Sequence, residues 1–351
     1  MAKTRIRALG TAVPTERISQ QQAYEFVASL ELYSEAELRL ISHLYRQSHI
    51  EARHSVLPDF GQVAPDRNFY RPGSYPSTAA RMEAFAQLAP PLAATAAQRC
   101  LRQAELASSH ITHLITVSCT GLVAPGLDIA LIHQLGLSSR VQRYNINFMG
   151  CFAAFNGLRL ADAICQADAS AQVLVVCTEL CTLHYKPEKE EDFILANSLF
   201  ADGAAAALCS QQGTGLFAID RFASELISEA EQAMAWRVGD LGFEMTLSRQ
   251  LPDLLRQHMP AKLALHPELA RADHFAIHPG GKRILDAMEH LLDLMPKQLH
   301  ASREVLRQNG NMSSPTILFI LESMSATSFD QLAAFAFGPG LSVEMLLLSK
   351  P

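Results

Sequence analysis

The stretch Tyr144–Ala163, YNINFMGCFAAFNGLRLADA, decides how the rest of the chain is read. A loop-prone run and Gly150 precede Cys151. After it, Phe152, Phe155, Leu158 and Ala163 recur near helical spacing, which predicts a helix through about Gln166. Cys151 then stands at or just before a helix N-terminus. Unpaired backbone N–H groups and the positive end of the helix dipole favour an anion there, and a thiolate is an anion. Ala153, Ala154 and Gly157 are small, so the helix can be buried tightly. A thiol at the tip of a buried helix describes a nucleophile held at the floor of a pocket. Taken alone it also describes an inert core cysteine, since free cysteines are among the most buried residues. The two readings separate only if a base and an anion-stabilising group stand elsewhere in the chain.

With 351 residues, 49% hydrophobic and 18% charged, the chain can build one large duplicated domain or two ordinary ones. A net charge of −6 carries no basic footprint for nucleic acid. No apolar run reaches the length of a membrane span, and MAKTRIRALGTAVP lacks a signal-peptide apolar region, so a cytoplasmic protein is expected. Seven cysteines, an odd number with no CxxC pair, do not read as a disulfide framework. Cys177 and Cys181 are four apart, but no paired His or Cys set completes a zinc site, so no metal is expected.

Along the chain, RIRALG reads as a strand ending before Pro14, with helical patterns at Gln20–Ala28 and Glu35–Ser48. Arg46, His49 and Arg53 in RQSHIEAR read either as a solvated surface cluster or as a patch for substrate phosphates, which arginine forks match. Residues 57–78 read as a long loop, and Ser77 to about Ala104 as a helix. A strand is expected at His113–Cys119, a loop at Thr120–Gly126 and an apolar helix to Leu135. After the Cys151 helix comes a strand, Val173–Glu179. Then NSLFADGAAAALCS, 197–210, predicts a helical turn, a Gly-containing turn and an Ala-rich strand. The rhythm repeats in the second half: strand His274–His278, loop Pro279–Gly281, helix Arg283 to about Leu294, helix Ser302–Asn309 and a helix from Ser313 to about Met324. Strands Leu332–Phe337 and Leu341–Ser349 flank Gly338-Pro339-Gly340. Alternating elements with continuous apolar runs predict a layered α/β fold, built from two halves related by a pseudo-twofold with a seam near 212–230.

In that duplicated frame three polar residues hold comparable places. Cys151 precedes a buried helix. His278 ends an apolar strand before Pro279-Gly280-Gly281, where strand ends face clefts in α/β folds. Asn311, in Gly310-Asn311-Met312-Ser313-Ser314, precedes another buried helix. Singly, His278 reads as a satisfied core histidine and Asn311 as an N-cap. Jointly they supply the base and the anion-stabilising donor that Cys151 lacks, converging where the halves meet.

MGCFAAFNGLRLA, AIHPGGKRILDAME, REVLRQNGNMSSPTILFILE and AFGPGLSVE resemble, in order, the signature segments of the type III polyketide synthases, the chalcone synthase-like family, from about Arg5 to Ser349. The resemblance implies a thiolase-like αβαβα fold of two halves, 1–212 and 213–351, and a homodimer. It implies a catalytic triad of Cys151, His278 and Asn311, with the first two as a thiolate–imidazolium pair. The substrates implied are an acyl-CoA starter and malonyl-CoA, condensed without a metal or other cofactor. Phe200 matches a gatekeeper phenylalanine, and Gly338, Pro339 and Gly340 match a pocket-shaping loop. Ser313 falls beside Asn311 as a pocket residue.

Several positions depart from the plant pattern. Met245 replaces the second gatekeeper phenylalanine, and Trp236, the only tryptophan, stands where plant members have Gly. Cys119 stands where chalcone synthases have Thr, a feature shared with bacterial members; it reads as a second cavity thiol or a strand cysteine. His184 reads as pocket wall or loop. Gln47 and Glu51 replace basic residues of the CoA patch, leaving Arg46 and Arg53 for that role. An alternative is a ketoacyl-ACP synthase III-like condensing enzyme, which has the same triad but typically HQAN and GNTSA where this chain has IHPGG and GNMSS. A degenerate thiolase-fold scaffold predicts loss of a triad member, and none is lost. Chalcone is disfavoured as product. The starter, the number of extensions and the ring closure stay open among pyrone, resorcinol and hydroxynaphthalene types.

Overall fold

Period-2 alternation on fully buried strands organises the molecule. The computed structural model describes residues 2–61, 69–71 and 73–351, so part of the expected 57–78 loop lies outside the described residues. In strand Val173–Leu180, Leu174 and Val176 join one core cluster while Val173, Val175 and Cys177 join another. In strand Gln331–Gly338, Leu332, Ala334 and Ala336 join that second cluster, while Ala333, Phe335 and Phe337 join a third. The shared cluster also holds the apolar faces of helices Ala153–Ala167 and Thr316–Ser323. Two leaves of sheet therefore sandwich these helices, with further helices outside each leaf. This is the αβαβα layering.

The strands run in the order Gln142–Asn147, His113–Ser118, Val173–Leu180, Asp202–Ser210, Arg5–Ala12, Phe217–Leu226, Ser342–Ser349, Gln331–Gly338, His274–Ile277. Each half is parallel at its far end and antiparallel toward the middle. The halves join through the pairing of Arg5 and Ile6 with Ala218 and Phe217. The order of one half mirrors the other, except that Gln142–Asn147 has no counterpart among the described residues.

Most expected elements fall within a few residues of their predicted bounds. Gly203 is a correction: it lies within strand Asp202–Ser210 rather than in a turn. The strands Gln142–Asn147 and Phe217–Leu226 and the hairpin Met234–Gly239/Gly242–Leu247 were not anticipated. Gly157 seats the Cys151 helix against the sheet, since a Cβ there would lie 2.8 Å from Val175 Cγ1. Among the described residues no helix is long and apolar enough to cross a membrane.

Candidate active site

Cys151 lies in the turn just ahead of Phe152, the N-cap of helix Ala153–Ala167. The turn requires positive φ at Phe148 (61°) and Gly150 (84°). A Cβ at Gly150 would come within 2.2 Å of Pro339 Cδ, so the second half presses directly on the turn. The Gly150 N–H donates to Cys119 Sγ at 2.9 Å, which ties the turn to the end of strand His113–Ser118.

Asn311 arrives from the other half. Helix His300–Asn309 ends at Gly310, whose φ of 69° releases the chain. Asn311 then bridges Phe200: its N–H donates to Leu199 O at 2.9 Å and its carbonyl accepts from Ala201 N–H at 2.9 Å. It is not a helix cap, because helix Thr316–Ser323 is capped by Pro315. Asn311 Oδ1 accepts from Ser313 N–H at 2.8 Å. With that oxygen engaged, the amide nitrogen is the end free to donate. The Asn311 and Ser313 side chains both favour the thiolate of Cys151.

His278 follows strand His274–Ile277 and is 1% exposed. Its backbone N–H donates to Phe335 O at 2.8 Å, but neither ring nitrogen has a hydrogen-bond partner among the described residues. An unsatisfied buried polar group costs about 1–3 kcal/mol, so His278 is no satisfied core histidine. Burial pushes its pKa down to about 3. Burial also pushes the Cys151 thiol up to about 11; the Glu179 charge adds to the rise, and the Ser313 and Asn311 bonds oppose it. Burial thus works against the charged form of each group and so against a resting thiolate–imidazolium pair.

Cys151 opens onto a cavity of about 60 Å³ that is also lined by Cys119, Phe200, His184, Trp236, Met245, Ser313 and Pro339. Gly338 and Gly340 do not line it; Gly338 instead packs against Phe152, 2.5 Å separating its notional Cβ from the ring. His184 is buried wall, not an exposed loop residue. Its Nε2 donates to Thr120 O at 2.8 Å and its Nδ1 accepts from Phe243 N–H at 3.0 Å, which fixes the tautomer. Burial lowers its pKa to about 3. Its ring stacks on Phe243 at 4.1 Å and meets Trp236 edge-on, and Trp236 Nε1 donates to Cys119 O at 2.8 Å.

The proposed CoA pair divides. Arg46 is exposed on helix Glu35–Gln47. Arg53 is 6% exposed and donates from Nη1 to Asn197 O and Phe200 O, each at 2.7 Å, within the Cys151 cavity. It cannot belong to a solvated phosphate patch. A second cavity of about 130 Å³, lined by Gln47, Arg249, Gly281, Lys282 and Arg283, gathers cations that the sequence reading passed over. That reading also missed Cys181, Tyr185 and Phe243 in the first cavity, which sit in segments read only as a strand end or not assigned. Among the described residues no His, Cys, Asp and Glu group could hold a metal ion.

The family models for the N- and C-terminal domains of chalcone and stilbene synthases match residues 1–212 and 219–350. The chain is 30% identical over 359 residues to an alpha-pyrone synthesis polyketide synthase-like protein of Mycobacterium tuberculosis, covering 97% of this chain and 90% of that one. It is also 30% identical to probable polyketide synthase 1 of Dictyostelium discoideum, covering 97% of this chain but only 11% of that much longer protein. The crystal structure of PKS-I from the brown alga Ectocarpus siliculosus superposes with a TM-score of 0.92 at 29% identity, covering 99% of this chain and 98% of that one. The C-terminal type III domain of a type I/III hybrid from Dictyostelium gives a TM-score of 0.89, also at 29% identity, with 99% of each covered. None of these matches points to the ketoacyl-ACP synthase III alternative. Matched over both halves in sequence and fold, the chain belongs to the chalcone and stilbene synthase family and is a type III polyketide synthase, a decarboxylating condensing acyltransferase.

Proposed function

We propose that Cys151, His278 and Asn311 carry the condensation, the first from the half 1–212 and the others from 213–351. What supports this reading is that Cys151 from one half and Ser313, on the Asn311 loop of the other, line one cavity, while the His278 ring is buried with neither nitrogen hydrogen-bonded among the described residues. The neutral imidazole of His278 takes the thiol proton as the sulfur attacks the acyl-CoA carbonyl, and CoA leaves as the acyl group stays on Cys151. Malonyl-CoA then loses carbon dioxide, and its electron pair passes into the thioester as an enolate. The Asn311 amide and the now protonated His278 donate to the enolate oxygen. The enolate carbon attacks the Cys151 thioester and frees the sulfur. Repetition and cyclisation complete the product, with no metal or organic cofactor in the cycle.

Arg249, Lys282 and Arg283 at the second cavity are better placed than Arg46 and Arg53 for the CoA phosphates, as guanidinium and ammonium groups suit phosphate oxygens. The exposed edge strand Gln142–Asn147, beside the exposed Met149, supports a homodimer, because such an edge offers unpaired backbone groups. The protein is proposed to act in the cytoplasm. A pyrone is the first product to look for, given the name of the mycobacterial relative.

The test is incubation of wild type and Cys151→Ala with labelled malonyl-CoA and a panel of acyl-CoA starters, read by intact mass and product mass. Wild type is expected to show an acyl adduct on the Cys151 peptide and a decarboxylated, cyclised product. A normal acyl adduct in Cys151→Ala would reject the assignment.

A further inference from the structure

Glu179 has no role in the steps above, yet it is fully buried at the end of strand Val173–Leu180 with both carboxylate oxygens engaged. Oε2 accepts from Cys119 N–H at 2.9 Å, from Thr120 Oγ1 at 2.7 Å and from Ser118 Oγ at 3.4 Å. Oε1 accepts from Ser314 Oγ at 2.6 Å. Thr120 Oγ1 itself accepts from Leu180 N–H, and Ser118 Oγ from Thr120 N–H, so each hydroxyl keeps its proton for the carboxylate. Four donors converging on two oxygens is the environment of an ionised carboxylate. Burial pushes its pKa up, while the bonds from Ser314, Cys119 and Thr120 oppose the rise.

The donors come from both halves. Residues 118–120 support the nucleophile turn, because Cys119 Sγ accepts from Gly150 N–H one residue before Cys151. Ser314 belongs to the loop that carries Asn311 and Ser313, and Ser313 lines the cavity onto which Cys151 opens. We propose that Glu179 is a positioning residue for the condensation: one buried carboxylate ties the support beneath the nucleophile turn to the loop bearing the enolate-binding amide. It thereby sets the separation between acylated sulfur and enolate. Misplacement of reacting groups by about 1 Å can cost about 100-fold in rate, so such a tie acts on chemistry as well as on stability. The inference rests on the assignment of Cys151 and Asn311 above.

A merely structural carboxylate and a positioning one predict different results. The charge of Glu179 disfavours the thiolate at Cys119, Cys151, Cys177 and Cys181. No such influence reaches Cys100, Cys165 or Cys209. Glu179→Gln keeps the shape, removes the charge and turns an amide N–H₂ toward donors. In folded Glu179→Gln, iodoacetamide labelling at pH 8, mapped by peptide mass, should be several-fold faster at the first four cysteines and unchanged at the other three. Condensation should fall about 10–100-fold. Uniform acceleration at all seven cysteines, or wild-type condensation, would overturn the proposal. Should Glu179→Gln not fold, Ser314→Ala removes only the tie to the second half. It should slow condensation at least fivefold while starter loading stays within twofold; equal changes in both would overturn the proposal. Labelling reads the thiol whether or not it is the nucleophile, so its failure counts against Glu179 alone. Loss of the nucleophile assignment is read separately by Cys151→Ala.

Discussion

The loops 148–152 and 311–315 occupy matching places in the two halves, each leading into a helix of the central layer, yet they deliver different chemistry. The first is pressed. It reverses through two positive-φ residues, is pinned by Cys119 and Pro339, and leaves Cys151 one residue before the helix cap. The second, of the same length, is self-bonded. Asn311 stands four residues before the cap at Pro315, held by backbone bonds to Leu199 and Ala201 and by its own Oδ1 on Ser313 N–H. The difference teaches that one duplicated frame can place a nucleophile by compression and a donor by hydrogen bonding. A sulfur needs a fixed position and an open face, whereas an amide also needs a fixed rotation.

The comparison breaks first at the donor. Asn311→Ala removes the amide but leaves the Cys151 turn untouched. Decarboxylation of malonyl-CoA is expected to fall about 100- to 1000-fold, the usual cost of losing one oxyanion donor, while starter loading changes little. Single-turnover loading alongside carbon dioxide release measures both, and equal losses would mean that the two loops do not divide the labour. The compressed loop is tested by Gly150→Ala. Its φ of 84° and the nearby Pro339 ring both oppose a Cβ, so a stability loss of about 1–3 kcal/mol is expected by denaturant melt, with weaker loading. An unchanged midpoint would show that Pro339 yields and that compression is not what holds the turn.

Much of this is legible in the sequence because fully buried strands and helices announce themselves as apolar runs. His113–Ser118, Val173–Leu180 and the Cys151 helix are of this kind. The strand Gln142–Asn147 is exposed along nearly its whole length, so its polar residues carry no burial pattern and read as a loop. The hairpin Met234–Gly239/Gly242–Leu247 is only partly buried, and it supplies Trp236 and Met245 to the cavity by pairing rather than by pattern. Arg53 misled because an arginine in a mixed charged run normally stays in water. Here the carbonyls of Asn197 and Phe200, which come together only in the fold, solvate it inside. Glu179 left no sign because its donors are spread over 118–120 and 314, and only the joining of the halves assembles them.

The protonation of the compressed loop sharpens the comparison further. Burial pushes the folded thiol up to about 11 and the imidazole down to about 3, which favours the neutral form of each. The thiolate fraction of Cys151 then rises about tenfold per pH unit between 7 and 9, and its alkylation rate should follow. The neighbouring groups that bear on it are Glu179, which raises the thiol, and Asn311 and Ser313, which lower it. A resting ion pair would instead give a rate flat from about pH 5 to 8. A flat profile would restore the ion pair and make proton transfer precede substrate binding.

The smallest effect expected is at the wall between the loops. Trp236 fills the cavity with an indole whose N–H is spent on Cys119 O, and His184 and Phe243 brace it from the side. Trp236→Phe deletes one hydrogen bond and part of a ring, so stability should fall by only about 1 kcal/mol. The cavity of about 60 Å³ is small enough that even this change is a large fraction of it. The product distribution from malonyl-CoA should therefore shift toward longer chains by mass spectrometry while acyl loading of Cys151 stays near wild type. The Cys119 carbonyl freed by the substitution sits on the residue whose sulfur holds Gly150 N–H. A fall in loading without longer products would thus place Trp236 among the supports of the nucleophile turn rather than in the wall that limits chain growth.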